Sequence, residues 1–340
     1  MGTKRDDRAL RTAVWRGSRL ECGREESWAP SVTSEHRAVL VEEALAALAV
    51  EAGGYYVDAT FGRGGHTARL LEAVGGEGRV LALDQDPQAI EAGRVRFADE
   101  MRLTLIHASF AELGSLVPAH SHGRACRGVL FDLGVSSPQL DDPTRGFSFR
   151  ADGPLDMRMD TTRGEPVSGW LARAGVDEVR EVIAELGEER FARRIANAIV
   201  AARRERPLAR TSELAALVAR AVRTREPGKH PATRTFQALR IFINHELASL
   251  ARGLEGALAV LAPGGRLAVI SFHSLEDRIV KRFMQQAATV DPALAHLPIV
   301  PAAAAPVLKI IGKKARPGAL ERARNPRARS ALLRTAEKLP

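Results

Sequence analysis

Short apolar runs that close on an acidic or polar residue recur through the first third of the chain, most followed by a stretch with helical spacing. A helix is expected over 39–50, where apolar positions repeat at helical spacing and Glu42 and Glu43 take the polar side. Gly53 and Gly54 break it. Tyr55, Tyr56 and Val57 read as a strand, followed by Asp58-Ala-Thr-Phe-Gly-Arg-Gly-Gly-His66 and a helix over 67–74. The next strand, 79–83, runs into Asp84, and Asp86-Pro87 offers an N-cap and a first-turn proline to another helix. A third strand over 103–107 leads to Phe110, and a fourth over 129–132 closes on Asp132. This alternation predicts an α/β fold with a mostly parallel sheet, whose ligands sit at the carboxyl ends of the strands.

The rhythm then fails twice. From Asp132 to Asp160 the chain is dense in Gly, Pro, Ser and Asp with almost no periodicity, and loops of that length inside compact domains are mostly functional. From about 166 to 225 the spacing is helical without strands: Val179, Val182, Ile183 and Leu186, then Phe191, Ile195 and Ile199, then a helix from Thr211 or Ser212 through Leu214, Leu217, Val218 and Val222. One long helix is expected through Phe236, Leu239, Ile243 and Leu247. Pro263-Gly264-Gly265 then turns into a strand over 266–272, and at least one more strand is expected near 307–311. The organisation read from this is a poorly ordered extension over 1–33, an α/β domain over 34–140 and 232–340, and an inserted loop and all-helical domain over 141–231.

With 340 residues, 45% hydrophobic and 27% charged, the chain can bury a sheet core and carry an insertion. Cys22 and Cys126 stand far apart with no C-x-x-C spacing, which argues against a disulfide scaffold or zinc site and fits a cytoplasmic protein. No apolar run approaches the roughly 18–20 residues that span a bilayer, and the first 34 residues lack the apolar stretch of a secretory signal. Charge adds more. The net +9 is segregated: 188–234 holds 12 Lys/Arg against 5 Asp/Glu, and 309–340 holds 10 against 2, leaving the remainder acidic. Two basic segments suit a polyanion such as a nucleic acid, against the plainer reading of solvated Arg-rich helices in an Ala-, Arg- and Gly-rich chain.

The candidate chemistry lies at the strand ends. Glycines after Asp58 let a ligand approach the backbone, and an acid about 20 residues beyond the turn is placed to accept hydrogen bonds from ribose hydroxyls. The turn is G-x-G-G, and Thr67 stands where a dinucleotide fingerprint would have its third glycine. S-adenosylmethionine, with its ammonium and sulfonium, suits nearby acids; NAD and a merely structural glycine turn are the alternatives. After Asp132, Leu-Gly-Val-Ser-Ser-Pro-Gln139 supplies polar groups that could hold an exocyclic amine, but no aromatic to stack a base. Asp141, Asp142, Asp152, Asp156 and Asp160 read better as turn formers beside Gly and Pro than as a cation site. Cys126 is expected before the fourth strand, away from the loop, which disfavours a thiolate mechanism on a cytosine ring carbon. Ser274 and Asp277 resemble a capping box. His273 has two readings, a substrate-orienting or proton-accepting group and a structural hydrogen-bonding one.

Taken together, His36 to Glu43, Asp58 to His66, Asp132 to Asp160, Arg234-Thr-Phe-Gln-Ala-Leu-Arg240 with Asn244 and Glu246, Pro263 to Phe283 and Arg327-Ala-Arg-Ser330 resemble the bacterial RsmH/MraW family of rRNA cytosine-N4 methyltransferases over about 34–338. The resemblance implies a class I S-adenosylmethionine-dependent methyltransferase fold, Rossmann-like, with an inserted helical domain. It implies a decoding-region cytosine of 16S rRNA as target, within the 30S subunit or a late precursor. Gly64, Gly65, His66, Asp84, Phe110, Asp132 and Gln139 match the family's cofactor-binding positions, and Asp132, Ser136, Ser137 and His273 are the candidates for the chemistry. No metal and no membrane are expected. A methyltransferase acting on a protein or small molecule, and a non-catalytic RNA-binding assembly factor, remain as alternatives.

Overall fold

The computed structural model describes residues 38–222, 228, 230–290, 301 and 304–340; the extension expected over 1–33 lies outside them. The elements run α1 (Val41–Leu48), β1 (Tyr55–Asp58), α2 (Gly65–Val74), β2 (Arg79–Asp84), α3 (Pro87–Arg96), β3 (Leu103–His107), α4 (Leu113–His120), β4 (Cys126–Asp132) and α5 (Ser137–Asp141). There follow α6 (Val167–Arg173), α7 (Val176–Gly187), α8 (Ala192–Glu205), α9 (Thr211–Ala221), α10 (Thr233–Ile243), α11 (Glu246–Val260), β5 (Leu261–Ser271), α12 (Ser274–Ala287), β6 (Leu308–Ile310), α13 (Ala319–Arg324) and β7 (Leu332–Lys338).

One seven-stranded sheet carries the order β3-β2-β1-β4-β5-β7-β6. The first five strands are parallel, and β7 runs antiparallel to both β5 and β6. This is the expected class I methyltransferase fold. Because successive strand residues point to opposite faces, Val57, Leu81, Leu83, Val129, Phe131, Leu267 and Val269 pack with α4, α11 and α12. Their neighbours Tyr56, Val80, Leu130, Ala268 and Ile270 pack with α1 and α2. Both faces are covered, so the strands read as continuous apolar runs.

A separate cluster gathers α6 to α10, and the irregular segment after β4 contributes Phe147, Leu155, Met157 and Met159 to it. Phe236 and Leu239 of α10 also belong there.

Several boundaries differ from the sequence reading. The long helix through Leu247 is two helices, broken at Asn244 and His245, where His245 takes φ +51°. β5 begins at Leu261 and stops at Ser271: Leu261 pairs with Cys126, the Pro263-Gly264-Gly265 turn shifts the register, and pairing resumes at Arg266. Cys126 is the first residue of β4 and is buried there, not placed ahead of it. β7 was not foreseen, since its alternation of apolar and charged residues resembles a solvated tail until β5 and β6 flank it.

Candidate functional site

β1, β2 and β4 are neighbours that end at Asp58, Asp84 and Asp132; Asp58 pairs with Ala82 and Leu130, so Asp84 and Asp132 stand at the rim and Asp58 lies buried two residues below them. The turn after β1 folds across β2: Phe61 donates its N–H to Leu83 O at 2.7 Å and Gly62 donates to Asp84 Oδ2 at 2.7 Å. Gly62 and Gly64 hold φ of +56° and +70°, which glycine adopts without penalty. Packing also dictates the next positions. A Cβ at Gly64 would lie 2.7 Å from the Phe61 and Phe97 rings, and one at Gly65 would lie 2.8 Å from the Ala38 Cβ.

Asp84 Oδ1 accepts the Asp86 N–H at 2.8 Å, so each oxygen of Asp84 already holds one backbone donor. Burial nevertheless pushes its pKa up to about 6, the two N–H bonds pulling down and the Asp86 and Asp58 charges pushing up. Asp86 caps α3 through Gln88 N–H at 3.0 Å, as expected. Its other oxygen takes Gln139 Nε2 and Arg145 Nη1, both at 2.8 Å. Gln139 Oε1 in turn accepts the Ser136 N–H at 2.9 Å. Arg145 is only 4% exposed; Nη1 also reaches Gln88 Oε1 and Nη2 donates to the carbonyls of Arg158 and Met159, while its Nε is buried without a partner. The loop after β4 is thus bolted to the turn after β2.

The Asp132 side is built differently. Asp58 turns inward, accepting from Thr67 Oγ1 at 2.7 Å and Thr60 N–H at 3.2 Å, and burial raises its pKa. Thr60 Oγ1 accepts the Asp132 N–H at 2.6 Å, tying the two turns together. His66, 3% exposed at the start of α2, places Nε2 3.3 Å from Asp132 Oδ2. Burial alone would depress this imidazole, but the Asp132 contact and the Asp132 and Asp58 charges outweigh it and raise its pKa. Asp132 Oδ1 and both His66 nitrogens are buried without a well-aligned hydrogen bond. Native proteins rarely leave such atoms unmatched.

This asymmetry fits S-adenosylmethionine. Asp84 retains acceptor capacity for ribose hydroxyls, since a carboxylate offers about four lone-pair sites. The unmatched Asp132 oxygen suits a cationic methionine end. Phe110 follows β3 in a short 3₁₀ turn with its ring edge-on to Phe131 at 5.6 Å, partly exposed. Ser136 and Ser137 stand at the start of α5, both partly exposed. Beside them Gly134, at φ +94°, would bring a Cβ within 3.7 Å of the Phe272 ring.

His273 lies past β5 and is the cap of α12. The capping box is therefore His273 with Glu276, one residue earlier than the expected Ser274 with Asp277. The reason lies in long-range partners: Ser274 Oγ donates to Glu188 Oε2 at 2.8 Å, and Asp277 pairs with Arg334 at 2.7 Å. His273 Nε2 sits 3.1 Å from Glu276 Oε1, and Arg240 pairs with Glu246 at 2.7 and 2.8 Å. Glu246, His273 and Glu276 form the sole grouping with metal-ligand proximity among the described residues. Arg240 already occupies both Glu246 oxygens, so its charge competes with a cation there.

The five acids of the loop do not converge. Asp142, Asp156 and Asp160 accept from backbone N–H groups two residues on, Asp152 from Ser212 N–H, and Asp141 pairs with Arg327 at 2.6 Å. Cys126 sits at the opposite, amino end of β4, with its thiol pushed up to about 12 by burial. Sequence reasoning took Asp86 only as a cap and gave no role to Arg145 or Thr60. It used Asn244 only within the resemblance. Asn244 accepts from Met159 N–H at 2.7 Å and donates to Met157 O at 2.7 Å, holding Met157 at φ +65°. No helix among the described residues is long and apolar enough to cross a membrane.

Residues 33–339 match the profile of the MraW methylase family. The "Ribosomal RNA small subunit methyltransferase H" of Dechloromonas aromatica is 55% identical over 309 residues, covering 90% of this chain and 99% of its own length. That of Azoarcus sp. is 56% identical over 309 residues, covering 91% and 98%. Among solved structures, an rRNA methylase from Streptococcus thermophilus aligns with a TM-score of 0.39 and 14% identity, over 90% of this chain and 100% of that one.

Proposed function

The chain belongs to the MraW methylase family, and from that premise we propose that it methylates small-subunit ribosomal RNA with S-adenosylmethionine, at the N4 amine of cytosine 1402. The observation that carries the reaction is the pairing of a hydrogen-bonded Asp84 with an incompletely satisfied Asp132 on adjacent sides of one rim. The relatives' name supports the RNA class, since 55% identity spans nearly their whole length.

When bound, the cofactor supplies an electrophilic methyl group. Asp84, fixed by Gly62 and Asp86, would hold the ribose, and Phe110, at the next strand end, would lie against the adenine. Asp132 faces the methionine end and accepts the proton that leaves the amine, while His66 behind it stabilises its charge. Ser136 and Ser137 orient the amine. Such positioning contributes as much as about 7–11 kcal/mol of barrier lowering in well-aligned systems. The ring that the 133–139 segment lacks is supplied from β5's end by Phe272, whose ring lies in van der Waals range of a Cβ placed on Gly134. His273, tied to Glu276 as the cap of α12, is a support for Phe272 on this reading. The helical insertion holds RNA around the target, and the cytoplasmic 30S particle or its late precursor is the substrate.

Tritiated methyl transfer to 30S particles, protein-free 16S rRNA and ribosomal protein fractions, followed by nucleoside analysis, tests this. Label should appear in RNA as N4-methylcytidine. Label found only in protein, or in another nucleoside, would overturn it.

A further inference from the structure

A second surface lies on the same rim, beyond the site. Pairing carries one row straight across the sheet: Asp132 opposite Ile270, Ile270 opposite Leu333, and Leu333 opposite Ala315. Three strand spacings of about 4.8 Å put Ala315 roughly 14 Å from Asp132. Lys314, Lys313 and Gly312 precede it and form one wall of an open cleft whose other walls are Lys281, Met284 and Gln285 of α12 and Arg334 and Thr335 of β7.

The cleft is strongly cationic and little neutralised. Lys281, Lys313 and Lys314 are exposed, and none makes an ion pair or hydrogen bond among the described residues. Asp277 is the acid beside them, and Arg334 clamps it through both oxygens, at 2.7 and 3.0 Å. The Arg334 hydrogen bonds, with the Arg334, Lys314 and Lys281 charges, hold the Asp277 carboxyl below its usual range. Three lysines therefore converge with no carboxylate free to pair them among the described residues. Solvated surface lysines normally spread apart or interleave with acids. Here an 11-residue strand and its antiparallel neighbour bring them together from parts of the chain more than 30 residues apart.

We propose that this cleft binds the phosphate backbone of the substrate RNA a few nucleotides from the target base, with Lys281, Lys313 and Lys314 as the phosphate contacts. The inference rests on the RNA-methylation reading. Its geometry supplies the reason: a strand threaded through the site along the rim passes from Asp132 over β5 and β7 into the cleft. Ile310 and Ile311 at its edge offer apolar surface to a sugar or base. Phosphate contacts fix register without reading sequence. The cleft therefore positions the RNA and leaves selection of the base to the site.

The test uses the full chain with Lys281→Gln, Lys313→Gln and Lys314→Gln, singly and combined. It measures binding to protein-free 16S rRNA and to 30S particles across a salt series, with S-adenosylmethionine affinity read by calorimetry. Each substitution should weaken binding to both RNA forms and flatten the slope of log affinity against log salt by about 1, and the triple variant by roughly 2–3. Lysine-to-arginine variants should keep the wild-type slope, and cofactor affinity should not change. An unaltered salt slope in the triple variant overturns the proposal. So does a loss confined to 30S particles with protein-free rRNA bound normally, because that marks a protein-docking surface. Failure of the RNA-methylation reading shows separately, as wild-type enzyme that transfers no methyl to RNA.

Discussion

On the Asp84 side of the pocket both carboxylate oxygens hold a backbone donor, and behind them Asp86, Gln139 and Arg145 form a buried, mutually bonded set. On the Asp132 side, 3.3 Å from a buried imidazole, an oxygen of Asp132 and both His66 nitrogens lack well-aligned partners. The same residue type at the ends of two strands that flank β1 therefore meets opposite conditions. A carboxylate whose two oxygens are already held is in place before any ligand arrives and serves to bind. An unsatisfied one becomes complete only with its ligand, and is the place where a change of charge during reaction is felt most. On the proposed reading the first acid binds only, while the second carries the chemistry as well as facing the methionine end.

The largest effect that can break this contrast is on stability. Arg145→Met leaves Asp86 buried without its cation, and removing one partner of a buried pair costs about 3–5 kcal/mol. Urea unfolding should show that loss, and a midpoint within error of wild type would mean the Asp84 side is not held by this pair.

Next, Asp132→Asn keeps the shape but removes the proton acceptor. Single-turnover methyl transfer to 16S rRNA should slow by about 100-fold, the lower end of acid–base contributions, with cofactor affinity changed far less. Equal losses in binding and rate would erase the division between the two acids.

Asp84→Ala should act the other way. Loss of charged hydrogen bonds worth about 1.5–3 kcal/mol weakens S-adenosylmethionine binding by roughly 10–100-fold, while the melting temperature stays close to wild type. Calorimetry with unchanged affinity would remove Asp84 from the pocket.

The smallest effect is the pH dependence. Because burial raises Asp84 from its ordinary 3.8 to about 6, the folded chain holds this proton more tightly than the unfolded chain. Its stabilising contribution is complete below 3.8 and disappears as pH rises through about 6. Cofactor binding has the opposite sign, since the ionised carboxylate is the better acceptor: affinity should fall by about two- to tenfold between pH 6 and pH 5. The Asp84→Ala variant should lose that dependence.

Local signals were enough for much of the architecture. β3 was expected over 103–107, where the structure has it, and Asp86-Pro87 marked the start of α3, because strand propensity and helix capping are decided within a few residues. The same signals put Asp84 and Asp132 at strand ends, hence on the ligand-binding rim of a parallel sheet. They could not show that Ser274 and Asp277 would be drawn away by Glu188 and Arg334, which moved the cap to His273.

What the sequence by itself determined is the alternating fold and the rim on which Asp84 and Asp132 stand. Which acid is satisfied and which is left open was decided only by tertiary structure. Arg145 reaches Asp86 across 59 positions and Asn244 reaches Met159 across 85. Propensity, capping and periodicity act over a turn or two of chain, whereas a buried charge takes whatever partner packing delivers, and packing is settled by every element at once.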